Sequence, residues 1–527
     1  MQGSRFWSTP EFLAGITSGL LLSVAGAPSP VGFLAYVALV PVLLVLFHPR
    51  NLREARPLRL KLLILSFGLT HHLSELYWLL QLDPAATMKY RWLFLPMGLV
   101  LLALYMTIFD GIVFWVSAKL RRRYHEQAIW WFPIIWVVVE WLEGTGELGF
   151  PWMRLAMTQL HYVPILQLAG IFGELGISWL VAVTNVLLAL TWLSLRGEFP
   201  RLGRAVLYRW WALVALLLLY GVTLVYGTHT MHALETPVGP GDGLRVGVIQ
   251  GNVSLMDKFD PARRDSTFIP FTKLSEEAAD DGARLVVWPE TAVPLDVLRA
   301  PRYLMRLQDL VESKKIYLLT GFPEREVESD GSLLRYNSSL LMDDAGAVRA
   351  RYRKMHLLPF GERMPFQKIF PFLGKLDFGQ AEWDPGPELT IFEVDGYRFA
   401  NLICFESIFS GPSRAAVRKG AEILVNMSND GWFGNTLGPY QHGLMGVMRS
   451  AENRVPTVRC SNNGICFFAL ASGRVVDQTR LQERTYIVRT LHPSSASSPY
   501  TKWGELPLAL FLLFQAITLA FVSRRPQ

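Results

Sequence analysis

The stretch FANLICFES, residues 399–407, carries Cys404 at the end of an apolar, strand-like run, and its reading decides the fold. Only three cysteines occur in the 527 residues. A side chain at a strand's end, where the chain turns into a loop, is placed to project into a pocket. Two segments upstream supply what a nucleophilic thiol needs. RLVVWPET (284–291) is a second apolar strand, ending on Glu290, and YRKMHLLPFGE (352–362) sets Lys354 and Glu362 on a polar stretch punctuated by proline and glycine. A carboxylate, an ammonium and a thiol make a base, an oxyanion stabiliser and a nucleophile. Taken singly, each has a plainer reading: Cys404 as a small buried hydrophobe, Glu290 as a helix cap, Lys354 as a solvated charge.

Together, WPE, YRK…PFGE and CFE resemble the nitrilase (carbon–nitrogen hydrolase) superfamily over roughly 243–485. The resemblance implies Glu290 as general base, Lys354 as oxyanion partner and Cys404 as nucleophile. It also implies a four-layer αββα sandwich. The residues themselves point to an α/β sandwich. LRVGVIQGN, RLVVWPE, KIYLLTGF, SSLLMDD, RFANLICFE, AEILVNMSN and GICFFAL read as strands. ADDGA and RAAVRKG read as helix ends that feed parallel strands. No glycine-rich phosphate loop follows a strand, and no Cys or His cluster has metal-ligand spacing, so neither cofactor nor metal is expected. His356 and His442 stand isolated in the sequence and are expected to make structural hydrogen bonds.

The chain as a whole is too apolar for a soluble enzyme of this size, at 51% hydrophobic residues and a mean hydropathy of +0.25. The excess lies before residue 230 and after residue 503. A helix needs about 20 apolar residues to cross a bilayer. Eight candidate spans read near 11–27, 31–47, 62–81, 93–118, 129–146, 164–195, 210–228 and 504–522, the sixth long enough for a tilt or a re-entrant piece. This divides the chain into a membrane domain (1–228), a catalytic domain (229–503) and a final helix with a tail (504–527).

Basic residues in short loops orient the spans. One side gathers Arg5, Arg50, Arg53, Arg56, Arg59, Lys61, Lys119, Arg121, Arg122, Arg123, Arg196, Arg201, Arg204, Arg209, Arg524 and Arg525; the other carries only Lys89, Arg91 and Arg154. The rule puts both termini in the cytoplasm and 229–503 in the periplasm, with the protein in the bacterial inner membrane. The net charge of +7 is thereby accounted for without nucleic acid. Ala25-Gly26-Ala27 looks like a signal-peptidase site, but its charged leader is only Arg5 and another span follows, so an uncleaved anchor is expected. Cys460 and Cys466 are expected buried or free rather than paired.

The whole chain resembles the apolipoprotein N-acyltransferase family through VIQGN (248–252), YRKMHLLPFGE, ILVNMSNDGWFGNTLGPYQH (423–442) and RVPTVRCSNNGI (454–465). The resemblance implies transfer of a fatty acyl group from a membrane phospholipid to the α-amine of an S-diacylglyceryl-cysteine apolipoprotein, through a thioester. Phe405 stands where the family often has Tyr, and Phe259 where Trp is common. Glu362 is expected to position Lys354 or orient the amine, or to serve as a plain ion pair, and Glu406 to hydrogen-bond the pocket. Trp432 and Phe433, flanked by Gly431, Gly434 and Gly438, suggest a flap that admits lipid, and Phe366, Phe370 and Phe372 a second one. His71, His72, Glu75, Asp110 and Glu140 suggest a polar cavity below the domain, or interfacial solvation. Two other classes compete: a membrane-anchored amidase of small C–N compounds, which needs only one span, and a transporter with an outer domain, which needs no catalytic set.

Overall fold

The computed structural model describes residues 9–48, 58–82, 91–196, 205–236, 243–375, 381–494 and 497–522. The topology charges Arg5, Arg50, Arg53, Arg56, Lys89, Arg201, Arg204, Arg524 and Arg525 lie outside the described residues. The first half is helical. Three helical stretches are long and apolar enough to cross a membrane: Trp92–Glu143, Glu174–Leu195 and Trp210–Glu235. The first of these, 52 residues long, holds two of the spans read from the sequence. Shorter apolar helices occupy Pro10–Ala25, Gly32–Phe47, Val163–Phe172 and Leu506–Phe521. The long sixth span resolves into two short helices, Val163–Leu166 and Ala169–Phe172, then Glu174–Leu195, with Gly173 at φ +69° in between. Helix Ala205–Glu235 continues past residue 228, where the sequence reading set a domain boundary.

Small residues let the helices close up. A Cβ on Gly15 would lie 2.0 Å from Ser66 Oγ, so Pro10–Ala25 and Leu60–Glu75 pack backbone to backbone. Arg154, read as a loop charge, is instead buried and donates to Glu174, which also accepts from Arg449 of the second half. An isolated buried guanidinium would be very costly, and this shared carboxylate offsets that cost. His71, His72, Asp110, Glu140 and Arg154 line a small cavity of about 40 Å³, while Glu75 does not.

From residue 243 the described chain forms twelve strands: β1 (Leu244–Gln250), β2 (Leu285–Val287), β3 (Tyr317–Val327), β4 (Leu333–Met342), β5 (Val348–Arg353), β6 (Ile391–Val394), β7 (Tyr397–Ile403), β8 (Ile423–Ser428), β9 (Thr457–Ser461), β10 (Phe467–Ala469), β11 (Val475–Val476) and β12 (Thr485–Leu491). They make two six-stranded sheets, ordered β12-β1-β2-β3-β4-β5 and β11-β10-β9-β8-β7-β6. The inner trios β1-β2-β3 and β7-β8-β9 are parallel, as the helix ends before β2 and β8 imply.

The sheets pack face to face through Val246, Val248, Leu285 and Leu319 on one side and Phe399, Ile403, Val425 and Val458 on the other. Helices Arg264–Asp280 and Pro301–Lys314 cover the first sheet through Phe268, Phe271, Leu307 and Leu310. Helices Ser410–Arg418, Gly438–Met445 and Val447–Asn453 cover the second through Ala416, Leu444 and Met448. This is the expected αββα sandwich. A single apolar cluster joins the halves, placing Trp78, Trp152, Met157 and Leu166 against Phe405, Ile408 and Met448.

Candidate active site

Glu290 follows β2 by three residues. Trp288 N–H donates to Leu319 O at 2.8 Å and Val293 N–H to Gly321 O at 3.1 Å, which pins the turn to β3. A Cβ on Gly321 would lie 2.6 Å from Thr291 N and 2.9 Å from Glu290 Cα, so only glycine lets the turn come so close. The Glu290 carboxylate is buried. Its Oε1 accepts from Asn337 Nδ2 at 2.7 Å and its Oε2 from the Asn429 N–H at 2.9 Å.

Lys354 leaves the end of β5, and its N–H donates to Asn337 O at 2.8 Å. The side chain is 1% exposed, with Nζ 2.7 Å from Glu362 Oε2. Burial works against the ammonium, but Glu362, Cys404 and Glu290 outweigh it and hold Lys354 above its ordinary value. Glu362 also accepts from the Leu358 N–H at 2.8 Å and from Asn337 Nδ2 at 3.2 Å. It is therefore the direct partner of Lys354, and Asn337 links it to Glu290.

Cys404, the residue after β7, sits at φ +54°, a left-handed conformation that costs a non-glycine residue of order 1 kcal/mol. Its carbonyl is held by Ser407 Oγ at 3.1 Å and Asn426 Nδ2 at 3.3 Å. Burial first, then the Glu290 charge, push the thiol up, and Lys354 pulls it back only in part. A thiol so held is short of thiolate at neutral pH, and would need a base at hand to act as a nucleophile. Glu290, Lys354 and Glu362 all act electrostatically on Cys404, so the four expected groups meet in one site.

Glu406 does more than border the pocket. Its Oε1 accepts from Tyr352 OH (2.7 Å) and from the Met355 and His356 N–H groups (2.8 and 2.9 Å), and its Oε2 from the Ile403 N–H (2.7 Å). One fully buried carboxylate thus fastens the chain after Lys354 to the strand before Cys404.

The aromatic residues divide by exposure. Phe405 packs on Phe409 and stacks near Phe150, with centroids 5.1 and 6.1 Å away. Phe433 meets Trp78 edge-on at 4.8 Å, which anchors its loop to the helical half. Trp432 (38%) and Phe259 (49%) remain open, as do Phe366, Phe370 and Phe372. Phe366 N–H donates to Glu147 Oε2 at 2.6 Å, so that loop too touches the helical half.

His442 is not isolated in space. Its Nδ1 lies 2.8 Å from Asp430 Oδ1, and Asp430 also accepts from Arg459, Ser428 and Ser461. Burial opposes ionisation of Asp430, but Arg459 and His442 overcome it and hold the carboxyl well below the usual carboxylate range. His356 departs from expectation: no side-chain hydrogen bond is described for it, and its ring packs on Phe409 at 4.7 Å. Cys460 and Cys466 are buried and unbridged. Among the described residues no group of three His, Cys, Asp or Glu could hold a metal ion.

Sequence reading missed Asn337 and Lys258, and the only signal for either was a polar side chain in a segment that packs inward. Lys258 Nζ donates to Glu290 O at 2.9 Å.

Residues 245–498 match the carbon–nitrogen hydrolase family model, and residues 18–187 match that of the apolipoprotein N-acyltransferase N-terminal domain. An apolipoprotein N-acyltransferase of Geobacter metallireducens is 34% identical over 98% of this chain and 96% of its own length. One from Methylococcus capsulatus is 30% identical over 97% and 96%. A solved amidase of the nitrilase superfamily from Nesterenkonia AN1 aligns at 18% identity, with a TM-score of 0.39, over 52% of this chain and 98% of that one.

Proposed function

The chain belongs to the apolipoprotein N-acyltransferase family, and on that premise we propose that it moves a fatty acyl group from a membrane phospholipid to the N-terminal α-amine of an S-diacylglyceryl-cysteine apolipoprotein. The observation that carries this reading is where the nucleophile sits. Phe405 and Ile408, just after Cys404, share one apolar cluster with Trp78, Trp152 and Met157 of the helical half. An amidase of small soluble compounds has no use for that seat, and the match of residues 18–187 to the N-acyltransferase N-terminal model favours acyl transfer over it.

The chemistry runs in two halves. As the Cys404 sulfur attacks the ester carbonyl of the donor, Glu290 takes the thiol proton. Lys354 Nζ, fixed by Glu362, stabilises the oxyanion of the tetrahedral intermediate. Collapse breaks the ester C–O bond, Glu290 returns the proton to the departing alkoxide, and a lysophospholipid leaves. The acyl group remains on Cys404 as a thioester. The free α-amine of the acceptor then attacks that carbonyl while Glu290 accepts the N–H proton. Collapse breaks the C–S bond, and the proton passes to the thiolate, restoring Cys404. Acyl chains of both substrates keep water from the thioester, and the exposed rings of Trp432, Phe259 and Phe366 offer them an apolar approach.

In this reading the helical part through Glu235 forms the membrane domain, past the boundary at 228 read from the sequence, the part from residue 243 to 503 the periplasmic catalytic domain, and 504–527 the last span and tail of an inner-membrane protein. Reporter fusions active only in the periplasm test the orientation: signal near residues 235 and 490 and none after Arg525 support it, and the reverse overturns it. Purified protein given labelled phospholipid and a diacylglyceryl-cysteine peptide tests the reaction. N-acylated peptide that forms only with both substrates supports it; free fatty acid as the sole product would replace it with a hydrolase.

A further inference from the structure

Lys258 has no part in the chemistry above, yet it is among the most buried charged side chains of the catalytic half. It lies on the short helix Leu255–Phe259, 2% exposed. Its Nζ donates to the backbone carbonyl of Glu290 at 2.9 Å. A buried ammonium is costly unless an opposite charge offsets it. The charge that acts on Lys258 is the Glu290 carboxylate. Lys354, the other ammonium of the site, has its own carboxylate in Glu362 at 2.7 Å. Glu290 thus interacts electrostatically with Lys258, Lys354 and Cys404, and Asn337 bonds both Glu290 and Glu362. The site holds two buried lysines, Lys354 paired with the Glu362 carboxylate and Lys258 bonded to the backbone of Glu290.

We propose that Lys258 is a positioning residue for the general base: it pins the turn that carries Glu290 and places a buried positive charge behind it, leaving Lys354 to the oxyanion. The proposal rests on Glu290 as the proton acceptor. Burial draws Lys258 down to about 7, against the opposing pull of Glu290. The ammonium is therefore present on the acid side of neutrality and lost as pH rises through it. The Lys258 charge therefore bears on the base on the acid side of neutrality and not in alkali.

The test follows thioester formation on Cys404 against pH in the full-length detergent-solubilised protein given phospholipid alone. Wild type is compared with Lys258→Met and Lys258→Gln, the latter keeping a donor for Glu290 O without the charge. Both variants should move the acid limb up by about one pH unit, the shift produced by a modest charge interaction, with rates about tenfold lower there. Above neutrality the Lys258→Gln profile should converge on wild type. Should Lys258→Met fail to fold, the Lys258→Gln profile decides alone. An unmoved acid limb with a uniform loss of rate would make Lys258 a structural residue and overturn the proposal. A Glu290→Gln arm separates the premise from the inference: normal acylation there removes the base itself, whereas an inactive Glu290→Gln beside an unmoved Lys258→Gln limb defeats only the role of Lys258.

Discussion

Asn337 donates from Nδ2 to Glu290 Oε1 at 2.7 Å. The same nitrogen reaches Glu362 Oε1 at 3.2 Å, and the Asn337 carbonyl accepts from the Lys354 N–H at 2.8 Å. One residue at the middle of β4 therefore sets the proposed base, the proposed oxyanion lysine and the carboxylate behind that lysine at fixed separations.

Asn337→Ala should slow thioester formation about 10- to 100-fold, the equivalent of a charged hydrogen bond of ~1.5–3 kcal/mol. Asn337→Asp should be worse, because it sets a third carboxylate against Glu290 and Glu362. Single-turnover acylation with labelled phospholipid measures both; an Asn337→Ala rate equal to wild type would remove the bridge from the mechanism.

Glu406 is fully buried and accepts four hydrogen bonds from Tyr352, Met355, His356 and Ile403. Glu406→Ala leaves those donors unpaired, and should cost at least about 3 kcal/mol of stability. Glu406→Gln keeps one acceptor oxygen and should fall between. Thermal unfolding with acylation rates on the same samples checks this. A Glu406→Ala protein as stable as wild type would mean that the two catalytic segments hold together without it.

Burial and Glu290 hold the Cys404 thiol above its ordinary value, so its thiolate is scarce at neutral pH and grows only as pH rises. Alkylation of Cys404 by a small thiol reagent should therefore be slow at pH 7 and still climbing above about pH 9. Acylation by phospholipid should already be fast at pH 7, because in the proposed mechanism Glu290 removes the proton during attack. Alkylation that is rapid and level from pH 6 upward would indicate a preformed thiolate ion pair with Lys354 instead.

Much of this was legible in the sequence because parallel strands buried on both faces read as apolar runs. RLVVWPE and RFANLICFE thus marked β2 and β7 and the residues that close them. The apolar helices read out for the same reason. β5 did not, since Arg349, Arg351 and Arg353 alternate along it; their charges are met by Asp343 and Glu324, partners that only the folded sheet brings across. Asn337 was hidden because a polar residue in a strand reads as solvent-facing unless its partners are known. Arg154 does lie in a loop, but its burial was not legible because its acceptor, Glu174, begins a helix twenty residues on. Charge pairs distant in sequence are what a linear pattern cannot convey.

Trp432 is 38% exposed, while its neighbour Phe433 is wedged against Trp78 and Trp152. The loop is thus anchored at one ring and open at the other. Trp432→Ala should impair acylation by long-chain phospholipid far more than by a short soluble ester, and leave alkylation of Cys404 unchanged. Equal loss with both donors would place Trp432 in support of the active site rather than at its entrance.

The central claim, that acyl transfer passes through Cys404, is tested most directly by intact-mass spectrometry after incubation with phospholipid alone. The protein should gain one acyl mass, lost on addition of the diacylglyceryl-cysteine peptide. Cys404→Ala should never acquire it, whereas Cys460→Ala and Cys466→Ala should acquire it as wild type does. An acyl adduct on Cys460 or Cys466, or N-acylated peptide made by Cys404→Ala, would contradict the account.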